Sequence, residues 1–183
     1  KEDHIYVDVG AHHGYTFKNF LCKFNNQIVK SVLFEPDIKN LQTLKRKCEK
    51  EFINLNVTLY NEALSSQKKV TNFIEGYNYL SKISKRGLKT KSVYNLDSFN
   101  LKPSMLKIHV EGEEFNILKG SISTIDSYRP IIFITTYHNI DGLIKIPLHL
   151  INTLKNYKIY FRLHGWFGCS AVIYCIPIER YIG

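Results

Sequence analysis

Apolar positions along the chain alternate between two periods. Short runs rich in branched and aromatic residues lie at Ile5 to Val9, Ser31 to Phe34, Asn56 to Tyr60, Leu106 to Val110, Ile131 to Thr135, Lys158 to Leu163 and Ala171 to Ile176, and each has the length of a strand. Between them the period lengthens. Phe17, Phe20, Leu21 and Phe24 share one helical face, and Ile38, Leu41, Leu44 and Cys48 repeat that spacing over Asp37 to Phe52, after Pro36 has ended a strand. Phe115, Leu118, Ile122 and Ile125 predict a third helix, and Pro147 marks the start of a fourth, ahead of Leu148, Ile151 and Leu154. No helical period separates the last two runs, which are joined by a short loop from Gly165 to Cys169 and read as an antiparallel hairpin. The pattern predicts an α/β fold: a doubly wound, mostly parallel seven-stranded sheet with helices on both faces and a C-terminal hairpin.

Residues 65 to 96 fit this alternation least. They are polar and lysine-rich, with apolar bursts only at Val70 to Ile74 and Val93 to Leu96, and we expect an insertion of short edge strands and a mobile loop that contacts substrate. No internal repeat is present. A length of 183 residues predicts one domain over 1 to 183, and 44% apolar residues with 13% aromatics exclude a disordered chain. The chain has no apolar run of membrane-spanning length and no signal-peptide pattern at its start; it opens almost directly on a strand, so we expect sequence ahead of Lys1.

Composition narrows the chemistry. Cys22, Cys48, Cys169 and Cys175 are scattered and never form C-x-x-C, which argues against a zinc ribbon or a disulfide scaffold and for a reduced, cytoplasmic protein. The net charge of +9 comes from twenty lysines and only five arginines, whereas nucleic-acid sites lean on the forked arginine donor. The D/N-P-P-Y/F sequence of base methyltransferases is absent, and the aromatics lie mostly at core periods. A nucleic-acid protein is therefore the third-ranked reading, and a small-molecule partner is expected instead.

The candidate chemistry begins at IYVDVGAHHGYTF, residues 5 to 17. A strand ending in Asp8-Val9-Gly10 and turning through Gly14 into a helix is a nucleotide-binding turn, a metal site made of His12 and His13, or a plain corner. The G-x-G-x-x-G of dinucleotide sites lacks its middle glycine here, which favours a nucleoside with a zwitterionic tail over a pyrophosphate. We expect the turn to offer open backbone N–H groups to that ligand. Glu35, at the end of the next strand, is placed to accept both ribose hydroxyl protons. His12 and His13, adjacent in a turn, are expected to point apart and have no third ligand at a recognisable spacing, so they read as neighbours of a pocket rather than metal ligands.

These residues resemble the FkbM-type S-adenosylmethionine-dependent methyltransferases. DVGAHHGYTF is similar to the family's D-V-G-A-N-x-G-x-x-T, LFEPD to its second motif, NEALS to N-x-A-L-S, and YNLDSF to T-L-D-S-F. LKIHVEGEEFNILKG resembles I-K-I-D-V-E-G-x-E-x-x-V-L-x-G, and YHNIDGLIKIP with the closing YKIYFRLHGW and AVIYCIP is similar to one subset. The resemblance implies a class I methyltransferase-like Rossmann fold, S-adenosylmethionine as cofactor, and O-methylation of a sugar, lipid or other small metabolite. It implies that Asp8, Gly10 and Gly14 hold the methionine part, Glu35 the ribose, and Asn61, Ala63 and the loop near Glu62 lie by the adenine, with Ala11, His12 and Pro36 also expected to bind the cofactor. The family's aspartate in D-V-E-G is His109 in this chain, and Ser170 replaces an acid before the last strand. Loss of that carboxylate argues against a magnesium-assisted reaction. His109 or His138 is expected as general base, with Glu111 orienting a partner. The departures also keep open a catalytically silent, cofactor-binding relative.

Overall fold

A computed structural model describes residues 4–24, 27–76, 81–166 and 170–181. The seven expected strands form one sheet. Three parallel strands, β1 (His4–Val9), β2 (Ile28–Phe34) and β3 (Val57–Tyr60), run outward from the sheet centre, joined by α1 (Tyr15–Phe24) and α2 (Ile38–Glu51). The chain forms β4 (Ala63–Leu64), β5 (Lys69–Ile74), β6 (Lys82–Ile83) and β7 (Lys89–Tyr94), then returns to the far side of β1 as β8 (Met105–Ile108). Beyond lie α3 (Glu114–Lys119), α4 (Ile122–Tyr128), β9 (Ile131–Thr135), α5 (Gly142–Thr153), β10 (Tyr157–Leu163) and β11 (Ala171–Pro177). The order across the sheet is β10-β11-β9-β8-β1-β2-β3, with β11 antiparallel to both neighbours. The direction of winding therefore reverses at β1, and the crevice above β1 and β8 is where doubly wound sheets bind ligands.

Alternation along the strands builds two cores. Val7, Val9, Leu106, Ile108, Ile132 and Ile134 face one side and pack with Ile117, Leu118, Ile146 and Leu150. Tyr6, Leu33 and Met105 face the other and pack with Phe17, Leu44 and Phe52. Asp8 and Lys107 belong by parity to this second face, opposite each other in the β1–β8 ladder.

Three elements differ from the sequence expectation. The 115–125 period is split into α3 and α4 at Gly120, where a Cβ would strike the Ser65 carbonyl, and the Gly120 carbonyl accepts from the Asp97 N–H (3.1 Å). Helix α5 starts at Gly142, five residues before Pro147, because Gly142 packs on the Thr136 backbone and the Asp141 carbonyl accepts from the Lys145 N–H (2.7 Å). Pro147 lies inside the helix and leaves the Leu143 carbonyl without its helical donor. Segment 65 to 96 adds no edge strand to the main sheet; with β4 it forms a separate four-stranded sheet, order β4-β7-β5-β6. Residues 77–80 and residues 167–169 of the hairpin loop lie outside the described residues.

The Asp97 carboxylate accepts from the N–H groups of Ser123 (3.1 Å) and Thr124 (2.8 Å), which caps α4. Asp97→Ala is expected to cost about 1 kcal/mol, measured as a lower urea midpoint with an unchanged denaturant slope.

Candidate active site

The site is assembled around the end of β1. The Lys107 ammonium donates to Asp8 Oδ1 (2.7 Å) and to the Gly10 carbonyl (2.6 Å), and the Tyr6 hydroxyl donates to Asp8 Oδ2 (3.0 Å). Asp8 is fully buried and Lys107 nearly so. Gly10 leaves the strand at φ 84°, and a Cβ there would overlap the His109 carbonyl oxygen, so close approach of the turn to β8 requires glycine. His12 follows in the left-handed region at φ 50°, a conformation in which asparagine, aspartate and histidine are enriched.

Four of the turn's amides are engaged inside the protein rather than open. Gly10 and Ala11 donate to the Phe34 carbonyl (both 3.0 Å), His12 to Glu35 Oε2 (2.7 Å) and Gly14 to the Ala11 carbonyl (2.9 Å). The end of β2 lies directly beside the turn and takes these donors. The His12 and His13 rings do not diverge; their centroids are 3.8 Å apart, because the left-handed backbone at His12 folds its ring back over its neighbour.

Glu35 is held by protein donors on both oxygens. Besides His12, the Asp37 N–H (3.0 Å) and the Asn40 amide (3.5 Å) donate to Oε1, while burial raises its pKa. The Asn61 side chain donates to the carbonyls of Glu35 and Pro36 (both 3.0 Å) and so fixes this corner. Next to it, Glu62 has a buried Oε2 with no hydrogen-bond partner among the described residues. Glu35 and Glu62 both face a cavity of about 190 Å³ above β1 and β8. Its wall also carries Glu111 and Glu113, against Lys82 and the already paired Lys107. The cavity is therefore acidic and suits a cationic ligand.

At the β8 end, His109 lines the cavity and its Nε2 lies 3.1 Å from the Tyr137 hydroxyl. Burial, then the positive potential of Lys107, lowers the His109 pKa to about 3. His138 sits behind it, ring centroids 5.3 Å apart. The His138 Nδ1 bonds buried Glu114, and its Nε2 lies 3.5 Å from Glu111. Glu114 also accepts from the Thr135 hydroxyl (3.2 Å). Among the described residues no group of three or more His, Cys, Asp or Glu side chains is arranged to hold a metal ion.

The family model for the methyltransferase FkbM domain matches residues 8–159. The chain belongs to the FkbM methyltransferase family. An FkbM methyltransferase from Methylobacillus flagellatus KT shares the fold with a TM-score of 0.77 at 21% identity, covering 94% of this chain and 43% of its own. This chain thus spans less than half the length of that protein. A putative rRNA methylase from Clostridium thermocellum (TM-score 0.58, 12% identity, 97% and 87% coverage) and an SAH-bound methyltransferase from Podospora anserina (0.55, 12%, 94% and 70%) share the same architecture. No curated protein matches the sequence.

Within this FkbM fold, Gly10, Ala11, His12, Glu35, Pro36, Glu62, Ala63, His109 and Glu111 line the cavity. Asp8, Gly14, Asn61 and His138 stand one layer behind it, where they hold wall residues in place. Sequence reasoning missed Asn40, Glu113, Ser81 and Lys82 on the wall, and Tyr137 and Glu114 behind it. Glu113 and Glu114 were within reach, since both belong to the quoted V-E-G-E-E stretch; Ser81 and Lys82 come from the divergent segment and carried no signal.

Because the unfolded chain binds the His109 proton first, stability from this residue is complete above pH 6.5 and is lost as pH falls toward about 3. His109→Gln is expected to flatten the fall in melting temperature with acidification across that window, checked by calorimetric scans from pH 7 downward.

Proposed function

We propose that the protein transfers a methyl group from S-adenosylmethionine to a hydroxyl oxygen of a sugar, lipid or other small metabolite. The observation that carries this reading is the paired placement of Glu35 and Glu62 in one acidic cavity at the reversal point of an FkbM fold. Glu35, held by three donors, keeps lone pairs for the ribose hydroxyls. The orphaned Glu62 oxygen fits a donor such as the exocyclic amine of adenine, which would satisfy a buried acceptor that otherwise costs stability. Gly10, Ala11 and His12 form the wall toward the methionine part.

Bound S-adenosylmethionine supplies an electrophilic methyl group on a positively charged sulfur. The protein then has to align an acceptor hydroxyl and take its proton. His109 is a poor base at a pKa of about 3, so it stays neutral and serves to orient the acceptor, with Tyr137 fixing its ring. Glu111 presents a carboxylate on the cavity wall and is the proton acceptor. His138, backed by Glu114, holds Glu111 in place. This reading moves the base from a histidine to the Glu111 carboxylate, 3.5 Å from His138 Nε2. A cofactor-binding relative without turnover is the second reading, favoured by the imidazole at position 109 where the family carries an aspartate.

Calorimetric titration with S-adenosylmethionine, followed by mass spectrometry over hydroxyl acceptors, tests both. Binding with methylated product, lost by about 10²-fold or more in Glu111→Gln, supports the transferase; binding without product across acceptors supports the silent relative; absence of binding contradicts both. Glu62→Met is expected to raise the melting temperature of the free protein and to remove most of the upward shift given by saturating S-adenosylhomocysteine.

A further inference from the structure

Charge is segregated around this cavity. Its wall is acidic, yet the four-stranded sheet beside it, residues 63–94, carries seven lysines and arginines against one glutamate, which is six of the nine net positive charges. Three of the seven have structural partners: Lys89 pairs with Glu75, Lys68 lies over the Tyr94 ring (5.5 Å), and Lys91 bonds the Pro36 carbonyl and the Asn61 side chain, fastening the sheet to the Glu35 corner. Lys68, Lys69, Lys82, Lys85 and Arg86 have no carboxylate partner among the described residues. Like charges gathered without counter-charges repel one another and weaken the fold, so they call for an external anion.

The position of Lys82 gives the anion an address. Lys82 belongs to the cavity wall, next to Ile83 and to Ser81, whose hydroxyl donates to Asp37 Oδ2 (2.6 Å); His109 and Glu111 line the same cavity. Lys85 and Arg86 follow it on a pinned turn: the Ser84 N–H donates to the Asn72 carbonyl (3.0 Å), Gly87 to the Ser84 carbonyl (2.9 Å) and Arg86 to the Ser84 hydroxyl (3.2 Å). Both lie in that turn, three and four residues after Lys82, and neither lines the cavity. A nucleic acid is the poorer fit. The exposed positions of β5 and β7, Lys69, Val70, Asn72, Lys89, Thr90 and Ser92, carry no aromatic ring on which a base could stack, Tyr94 at the end of β7 being half-buried, and Arg86 is the segment's one guanidinium.

We propose that the methyl acceptor is a hydroxyl compound carrying a phosphate group, with the phosphate held by Lys82 and drawn in by Lys85 and Arg86 while the hydroxyl faces Glu111. The proposal rests on the methyltransferase reading and names the class of acceptor for it. It also explains how an acid-lined cavity avoids repelling an anionic acceptor: the anion stays at the basic mouth and the uncharged hydroxyl enters.

Glucose 6-phosphate serves as a probe, titrated calorimetrically into protein saturated with S-adenosylhomocysteine at low and high salt. Binding that weakens with salt, is absent for glucose, falls about tenfold in Lys82→Ala and is retained in Lys82→Arg supports the proposal. A double variant Lys85→Ala, Arg86→Ala is expected to weaken the probe as well, most strongly at low salt. Equal binding of glucose, or an unchanged probe affinity in Lys82→Ala, overturns it, as does an RNA oligonucleotide that binds the same face and is not displaced by the probe. If S-adenosylhomocysteine binds and the probe does not, only the anionic acceptor falls. If the probe binds and S-adenosylhomocysteine does not, the methyltransferase reading falls with it.

Discussion

The ion pair between Asp8 and Lys107 holds the site together. Two adjacent parallel strands place these residues opposite each other on a face otherwise filled by Tyr6, Leu33 and Met105. Burying one charge alone on that face would be costly, and the pair is tolerable because every charged atom has a partner: Lys107 bonds Asp8 and the Gly10 carbonyl, and Tyr6 completes the carboxylate. Burial and the neighbouring Asp8 push the Tyr6 pKa well up, so it remains a donor. The bond to the Gly10 carbonyl is the part with consequences, since it sets the direction in which the chain leaves β1.

From that direction the rest follows. Gly10 presses against the His109 backbone, the next amides close onto the Phe34 carbonyl, and His12 reaches Glu35. Asn61 and Lys91 then lock the Glu35 corner to the second sheet. The cavity is thus bounded by a turn whose Gly10, Ala11, His12 and Gly14 amides are engaged inside the protein, and side-chain charge distinguishes its walls. Acids line the interior, and bases crowd the neighbouring sheet. That division fits a cationic cofactor inside and, as we propose, an anionic acceptor at the mouth.

The layers of this protein differed in how well the sequence encoded them. All seven strands of the main sheet, with α1 and α2, were legible because their apolar residues repeat at the strand or helix period over several residues. The break at Gly120 was not, since it depends on Ser65 and Asp97 arriving from distant segments. The second sheet was hidden because β4 and β6 have two residues each and β5 and β7 are mostly polar. Glu35, Glu62 and His109, singled out from the motifs, line the cavity, but their hydrogen bonds and burial carry no signal in the sequence. Asp8, expected beside the cofactor, also pairs with Lys107, and only strand register decides that pairing. The burial of His109 beside Lys107, which lowers its pKa to about 3, is likewise set by tertiary packing.

The most direct test is a double-mutant cycle on the central pair, with Asp8→Asn, Lys107→Met and the combined variant followed by urea unfolding and by titration with S-adenosylhomocysteine. If Asp8 acts by positioning the turn through Lys107, each single change costs about 3–5 kcal/mol, the double costs less than the sum by more than about 1 kcal/mol, and cofactor affinity falls with both single variants alike. An Asp8→Asn protein with unaltered stability that no longer binds S-adenosylhomocysteine, beside a Lys107→Met protein that binds it normally, would contradict the account and make Asp8 a direct ligand.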